Sequence, residues 1–382
     1  MKTRQDKTRQ DKTRNSSVEL LKVIAIFLIV ISHVTQTLTN TTGPIKSIAI
    51  PLKATTDIQT IVLMLFQQAG VLGNTIFFVC SAWFLIDNNK FARKKAFSLF
   101  TTVWSVSVLV LCTYLLIGNH DITAKEIVKQ IFPTTLDNNW YMTCYIIFLF
   151  IYPWLNKLIS IISQKNLLRI VLFSSFLWIF MCYLKSGLFF ASNLILWVTI
   201  YFLIAYLKIY CNSIVTSTKI GAILIVVGII GYIAQVVVTN YVGLYLFSFL
   251  SEKVMHWNCS NCPFYIMIAL GSLIIASKYD LKSKFINYIS SLSMLIYLIH
   301  ENYLFRNYTR PLIWEYLYKT YTFNHIVLLD LAFAFVLFIV VVIISALYKE
   351  TIQKLVTKIS NKIYPHICNI YSKIENIILT IK

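Results

Sequence analysis

The chain has 382 residues, 58% of them hydrophobic and only 13% charged, with 26 Phe, 23 Tyr and 8 Trp and a mean hydropathy of +0.72. A soluble domain is about a quarter charged, so this composition excludes a soluble enzyme, a disordered protein and a disulfide scaffold, while ten Gly and seven Pro exclude a collagen-like repeat. A net charge of +19 would suggest nucleic acid in a soluble protein. Here it asks which side of a bilayer holds the cations, and no nucleic-acid partner is expected.

The chain opens with a five-residue repeat, Lys2 to Asp6, Lys7 to Asp11, then Lys12 to Arg14. It is polar and without an apolar anchor, which predicts a disordered basic tail over 1–17. The apolar stretch behind it is too long for a cleaved signal peptide, and no small-x-small site follows. Ten apolar runs then predict spans over about 18–38, 59–86, 96–117, 140–162, 169–185, 194–211, 220–239, 263–279, 288–305 and 325–347. The fold class is therefore all-α: a polytopic membrane helical bundle of about ten transmembrane helices, with 18–347 as its transmembrane domain. The stretch 240–262 reads either as a loop or as a re-entrant or interfacial segment. Residues 348–382 space Leu, Ile and Val among six Lys, which predicts a basic amphipathic helix drawn to anionic lipid on the inner leaflet. With the N-terminus inside, 24 of the 34 Lys and Arg fall in inner segments and nine in outer ones, Lys22 lying within a span. Both termini are thus expected to be cytoplasmic.

Ionisable groups inside a bilayer are costly, so each is a candidate for function. The first span holds Glu19, Lys22 and His33. Eleven residues separate Lys22 from His33, which leaves about 20° between them and about 16 Å along the axis. Glu19 lies one turn from Lys22 on nearly the same side. The alternative is that Lys22 and Glu19 snorkel to the surface and His33 bonds a neighbouring helix. His300 with Glu301 beside it is a second candidate, or else an interfacial His held by a neighbour. Asp330 is a partner for a buried cation or a packing polar group, and His325 is interfacial. Trp140 and Tyr141 could stack on sugar rings or anchor the bundle at the interface. His256, Cys259 and Cys262 have ligand chemistry suited to zinc, but a disulfide or free thiols fit the same spacing. The single cysteines Cys80, Cys112, Cys144, Cys182 and Cys211 read as packing residues. Six scattered His predict no metal cluster, and no Gly-rich phosphate loop, GxSxG or HExxH is present.

Four segments together resemble one family. The first is Arg14-Asn15 followed by Glu19 to Ala25 and Ser32-His33-Val34, with ten residues between Lys22 and His33. The second is Phe77-Phe78-Val79-Cys80-Ser81-Ala82 followed by the basic loop Lys90, Arg93, Lys94 and Lys95. The third is Trp140-Tyr141 opening a span that closes with Tyr152-Pro153. The fourth is Ser293 to His300. Over about 14–345 the chain resembles the acyltransferase 3 family of membrane O-acyltransferases, of the stand-alone type. It departs from the family at Ala82, where a Gly is usual.

The resemblance implies a multi-pass protein of the bacterial cell membrane that moves an acyl group, an acetyl above all, from cytoplasmic acyl-CoA to a hydroxyl of a surface or exopolysaccharide sugar. It implies no cofactor beyond the acyl-CoA donor substrate. His33 and Glu19 would be catalytic, His33 as base or as acyl carrier and Glu19 by orienting Lys22. Lys22, Lys90, Arg93, Lys94 and Lys95 would bind the donor, and Trp140, Tyr141 and His300 the acceptor. Implied partners are acyl-CoA, a polysaccharide or lipid-linked sugar, membrane lipid and polysaccharide assembly proteins. The competing expectation is a non-enzymatic exporter or flippase of polysaccharide or lipid-linked sugar, since basic and aromatic side chains along a bundle serve transport as well. A membrane polymerase joining sugar repeats is a third, less suited to loops this short.

Overall fold

The apolar runs become helices because a bilayer leaves backbone N–H and C=O groups no partner but each other. The computed structural model describes residues 15–380 apart from 44, 46–47, 89, 91, 119–121, 137–138, 186–187, 189–190 and 322–324, and it describes 374–380 only as backbone. In chain order the helices are α1 (Ser16–Thr39), α2 (Ile58–Leu85), α3 (Arg93–Leu116), the short α4 (Ala124–Ile131), α5 (Trp140–Ile161), α6 (Gln164–Leu184), α7 (Asn193–Tyr210), α8 (Thr218–Tyr241), α9 (Pro263–Lys278), α10 (Lys284–His300), α11 (Arg310–Thr320), α12 (Ile326–Glu350) and α13 (Ile352–Thr380). No strand occurs among the described residues.

Each of the ten expected spans holds a helix, although the ninth, expected over 288–305, ends at His300 because the chain turns at Glu301 and Asn302. Eight of them are long and apolar enough to cross a membrane, and the exceptions are α9, 16 residues long, and α10, 17 residues long. The shortfall of α10 has a physical reason. Ser290, Ser293 and His300 are buried on it beside Leu292, Leu295 and Ile296, so its polar side faces protein. The tail expected over 1–17 needs correction at its end: Asn15 caps α1 by accepting the Ser17 N–H at 2.8 Å, and Ser16 and Ser17 form the first turn. Residues 1–14 lie outside the described residues. The stretch 240–262 is neither a plain loop nor a re-entrant helix. Wide turns extend α8 through Val242–Leu246, a tight helical turn follows over Ser248–Lys253, and Ser251 accepts the Ala54 N–H at 2.9 Å.

Contacts between segments show that the spans alternate in direction. At one end, Asn15 donates to the Tyr279 carbonyl at 3.0 Å, Asn156 to the Leu85 carbonyl at 2.9 Å, and Lys208 pairs with Asp87 at 2.6 Å. At the other, Asn240 accepts from the Thr55 N–H at 2.8 Å and Gln130 pairs with Asn302. Lys349, at the close of α12, donates to Ser291 near the start of α10. The bundle therefore begins and ends at the same face.

α1 and α2 are the centre, with 56% of each apolar window buried, against 28% for α3, α6 and α8. Their approach depends on glycine: a Cβ on Gly73 would lie 2.5 Å from the Ala25 carbonyl oxygen. The tail helix α13, expected from the spacing of its apolar residues, is present and packs against α3 and α12.

Candidate active site

α1 is held in rotation around His33 by three neighbours. Ser32 donates to the Gln67 carbonyl on α2 at 2.6 Å, Trp314 on α11 donates to the Val34 carbonyl at 3.0 Å, and Thr35 is 2.7 Å from Asp330 on α12. His33 thereby faces the end of α10. Its Nδ1 lies 3.0 Å from His300 Nε2 and 3.1 Å from Glu301 Oε2. His33 and His300, 267 positions apart in sequence, meet here.

The hydrogen-bond partners assign the protons. His300 Nδ1 sits 2.5 Å from the Ile296 carbonyl, which only accepts, so Nδ1 carries the hydrogen and a neutral His300 presents a lone pair at Nε2. Glu301 is a carboxylate: Oε1 accepts from Arg306 at 2.8 Å and Oε2 from Arg310 at 3.2 Å. Both groups facing His33 Nδ1 are acceptors. His33 must therefore donate from Nδ1, which leaves its Nε2 with the lone pair of a base. An acid at a helix C-terminus opposes the helix dipole. Arg306 and Arg310 offset it here, and Arg310 is itself 1% exposed.

A cavity of about 260 Å³ lies on the Lys22 side of this cluster, and none of His33, His300 and Glu301 is among its lining residues. Glu19 and Lys22 line one end and Tyr141 and Tyr297 the other. The Tyr297 ring centroid lies 6.4 Å from that of His33 and 6.1 Å from that of Tyr141, so Tyr297 stands between the cavity and the imidazole. Glu19 is 3.3 Å from Lys22 and also accepts from the Ser290 hydroxyl. Three atoms of the lining, Asn74 Oδ1, Ser293 Oγ and the Tyr141 hydroxyl, are buried without a hydrogen-bond partner among the described residues.

The expected site residues fall into separate groups. Glu19, Lys22 and Tyr141 share the cavity, and His33 and His300 share the cluster. Lys95 lies 5.8 Å from the ring of Tyr145, a cavity residue, and so flanks its mouth. Arg93 does not reach the cavity, because its guanidinium lies 5.8 Å from the Tyr371 ring on α13. Lys90 and Lys94 are exposed. Tyr141 is 6% exposed and packs on Trp197 and Phe77; it belongs to the interior, and Trp140 beside it is half-buried. His300 is fully buried, so its place is beside His33 and not on an open acceptor surface. His325 is exposed. Asp330 has the Thr35 hydroxyl and no cation among the described residues as its partner.

Sequence reasoning gave no role to Arg306 and Arg310, which anchor Glu301, nor to Asn74. The local signal was an acid directly after His300 with arginines five and nine residues on. The scattered His also do more than their spacing suggests: ligand-type atoms of His33, His300 and Glu301 lie within 4.8 Å of one another. A metal could use such atoms, but the two guanidiniums on Glu301 oppose a divalent cation there. The proton assignment accounts for all three side chains without one. His256 is exposed, and Cys259 and Cys262 are free thiols. Cys262 donates to Gln235 at 3.5 Å.

Among known proteins, a family model described as an acyltransferase domain matches residues 15–350. No curated protein and no solved structure matches the chain.

Proposed function

The chain belongs to the acyltransferase 3 family, and from that premise we propose that this multi-pass membrane acyltransferase moves an acetyl or similar acyl group from cytoplasmic acyl-CoA to a hydroxyl of a bacterial surface or exopolysaccharide sugar. The carrying observation is His33, with Nδ1 committed to acceptors and Nε2 left basic, beside a cavity that begins at a lysine. The family supports an acyltransferase over an exporter.

In this reading both termini are cytoplasmic, so Lys22 and Lys95 stand where a polyanionic donor enters, and ammonium groups suit its phosphates. Lys90 and Lys94 add to the field that draws it in. Glu19 orients Lys22. The acyl thioester reaches inward through the cavity, and the sugar approaches from the opposite face. His33 Nε2 takes the proton of the sugar hydroxyl as its oxygen forms a bond to the thioester carbonyl carbon. The tetrahedral intermediate then expels the CoA thiolate by breaking the C–S bond, and the imidazolium returns the proton to sulfur. Glu301 stabilises the imidazolium and holds the ring, the role of the acid in a hydrolase triad, while His300 braces the same nitrogen. Trp140 at the far end of the cavity offers a face for the sugar ring.

The test is acyl transfer from labelled acetyl-CoA by membranes of His33→Gln, with mass spectrometry of the surface glycan from cells with and without the chain. A general base contributes about 10²–10⁴-fold. His33→Gln, which hydrogen-bonds but takes no proton at neutral pH, should lose activity by that factor while inserting normally. Near wild-type transfer by His33→Gln would remove His33 from the chemistry.

A further inference from the structure

A second cleft, about 620 Å³ in volume, opens where α13 lies across α3 and α5. Phe97 and Phe100 on α3, Phe150 and Trp154 on α5, and Tyr364 and Ile367 on α13 give it an apolar lining. Arg93 is the one ionisable cation on its wall among the described residues. The cleft is distinct from the cavity at Lys22: the two share no lining residue. The two helices that bring Arg93 and Tyr364 to it are rich in cations. α3 opens with Arg93, Lys94 and Lys95, and α13 carries Lys354, Lys358, Lys362 and Lys373 with no acid between Glu350 and Glu375. Trp154 is 59% and Phe150 44% exposed, so the lining is open to the surroundings of the bundle.

We propose that this cleft holds one anionic phospholipid, its acyl chain along the aromatic lining and its phosphate at Arg93. A water-filled cleft of this lining would leave apolar side chains solvated, and an uncharged apolar helix would leave Arg93 on its wall without an anion. An acyl chain with an anionic headgroup satisfies both the apolar volume and the charge. A guanidinium matches a phosphate through paired donors, and the aromatic face of Tyr371 holds that guanidinium in place. The lipid thereby ties α13 to the bundle. This inference does not rest on the acyl-transfer reading.

The experiment uses the full chain in phosphatidylcholine vesicles containing rising fractions of chain-brominated phosphatidylglycerol or chain-brominated phosphatidylcholine. The reporter is the part of tryptophan emission that Trp154→Phe removes. Brominated phosphatidylglycerol should quench it at about fivefold lower mole fraction than the choline lipid, the factor expected of one Arg near an anionic headgroup. Arg93→Ala should bring the two lipids together and Arg93→Lys should keep part of the difference. Cys368→Phe, which fills the cleft from an exposed position on α13, should reduce quenching by both lipids even where Arg93→Ala does not fold. Equal quenching of the wild-type chain would overturn the proposal, as would a preference that survives Arg93→Ala. Relief of quenching by free CoA would overturn it too, assigning the cleft to the donor instead.

Discussion

Replacing Glu301 by Gln separates catalysis from scaffolding at the His33 cluster. An imidazolium on His33 would lie 3.1 Å from the carboxylate oxygen, an attraction of about 5 kcal/mol at an effective dielectric of 20. Arg306 and Arg310 already draw on that charge, at 2.8 and 3.2 Å, so only part of it serves the imidazolium. At about 1.4 kcal/mol per tenfold in rate, a kcat lowered by about 10²–10⁴-fold is the expected result, the upper end matching loss of the acid in a hydrolase triad. The substitution also leaves a 1% exposed guanidinium without its counter-charge, which costs about 3–5 kcal/mol in stability. The two effects part in the double variant Glu301→Gln with Arg310→Gln, which removes the orphaned charge. Turnover of labelled acetyl-CoA and thermal unfolding would be followed on all three proteins in the same detergent. The double variant should recover stability relative to the single one and remain as inactive. Recovery of turnover along with stability would show that Glu301 only holds the fold together, and a folded Glu301→Gln within about threefold of wild type would refute its assignment to the chemistry.

Three further outcomes are expected. Lys22→Ala should weaken acetyl-CoA binding in a membrane filtration assay, and Lys22→Arg should retain much of it because the charge survives; unchanged affinity in Lys22→Ala would contradict the entry route. Tyr141→Phe removes a buried hydroxyl with no partner among the described residues, so thermal stability should hold or rise, while the apparent KM for donor should increase if that hydroxyl bonds the bound arm; unchanged kinetics would show that it does not. Single cysteines placed at Ala92 and Lys125 in a cysteine-free background should give labelling of intact cells at 125 and not at 92, and the reverse pattern would invert the membrane orientation.

Resemblance to the family rested on short local motifs, and these were legible because each is contiguous in the chain. The ten helices were legible for a similar reason: spanning a bilayer demands a continuous apolar run, and every such run became a helix. Pairing His33 with Lys22 on one face of α1 followed from helical periodicity alone. Periodicity stops at the edge of a single helix. It placed Arg93 with Lys95 because they are neighbours in sequence, yet a two-residue step on a helix turns about 200°, enough to aim one at the Lys22 cavity and the other at α13. It set Trp140 and Tyr141 together at an interface, whereas Tyr141 is turned inward onto Trp197.

Composition and hydropathy by themselves determined that this protein is a helical membrane bundle, with a helix for each span and a basic amphipathic helix at its end. The tertiary structure alone decided what His33 can do. His300 and Glu301 reach it only because α1 and α10 pack side by side, and Arg306 and Arg310 then fix Glu301 as a carboxylate. Which nitrogen of His33 carries the proton depends on those distant acceptors. A hydrogen bond between residues 267 positions apart leaves no trace in local periodicity, since it exists only once the chain has folded back on itself.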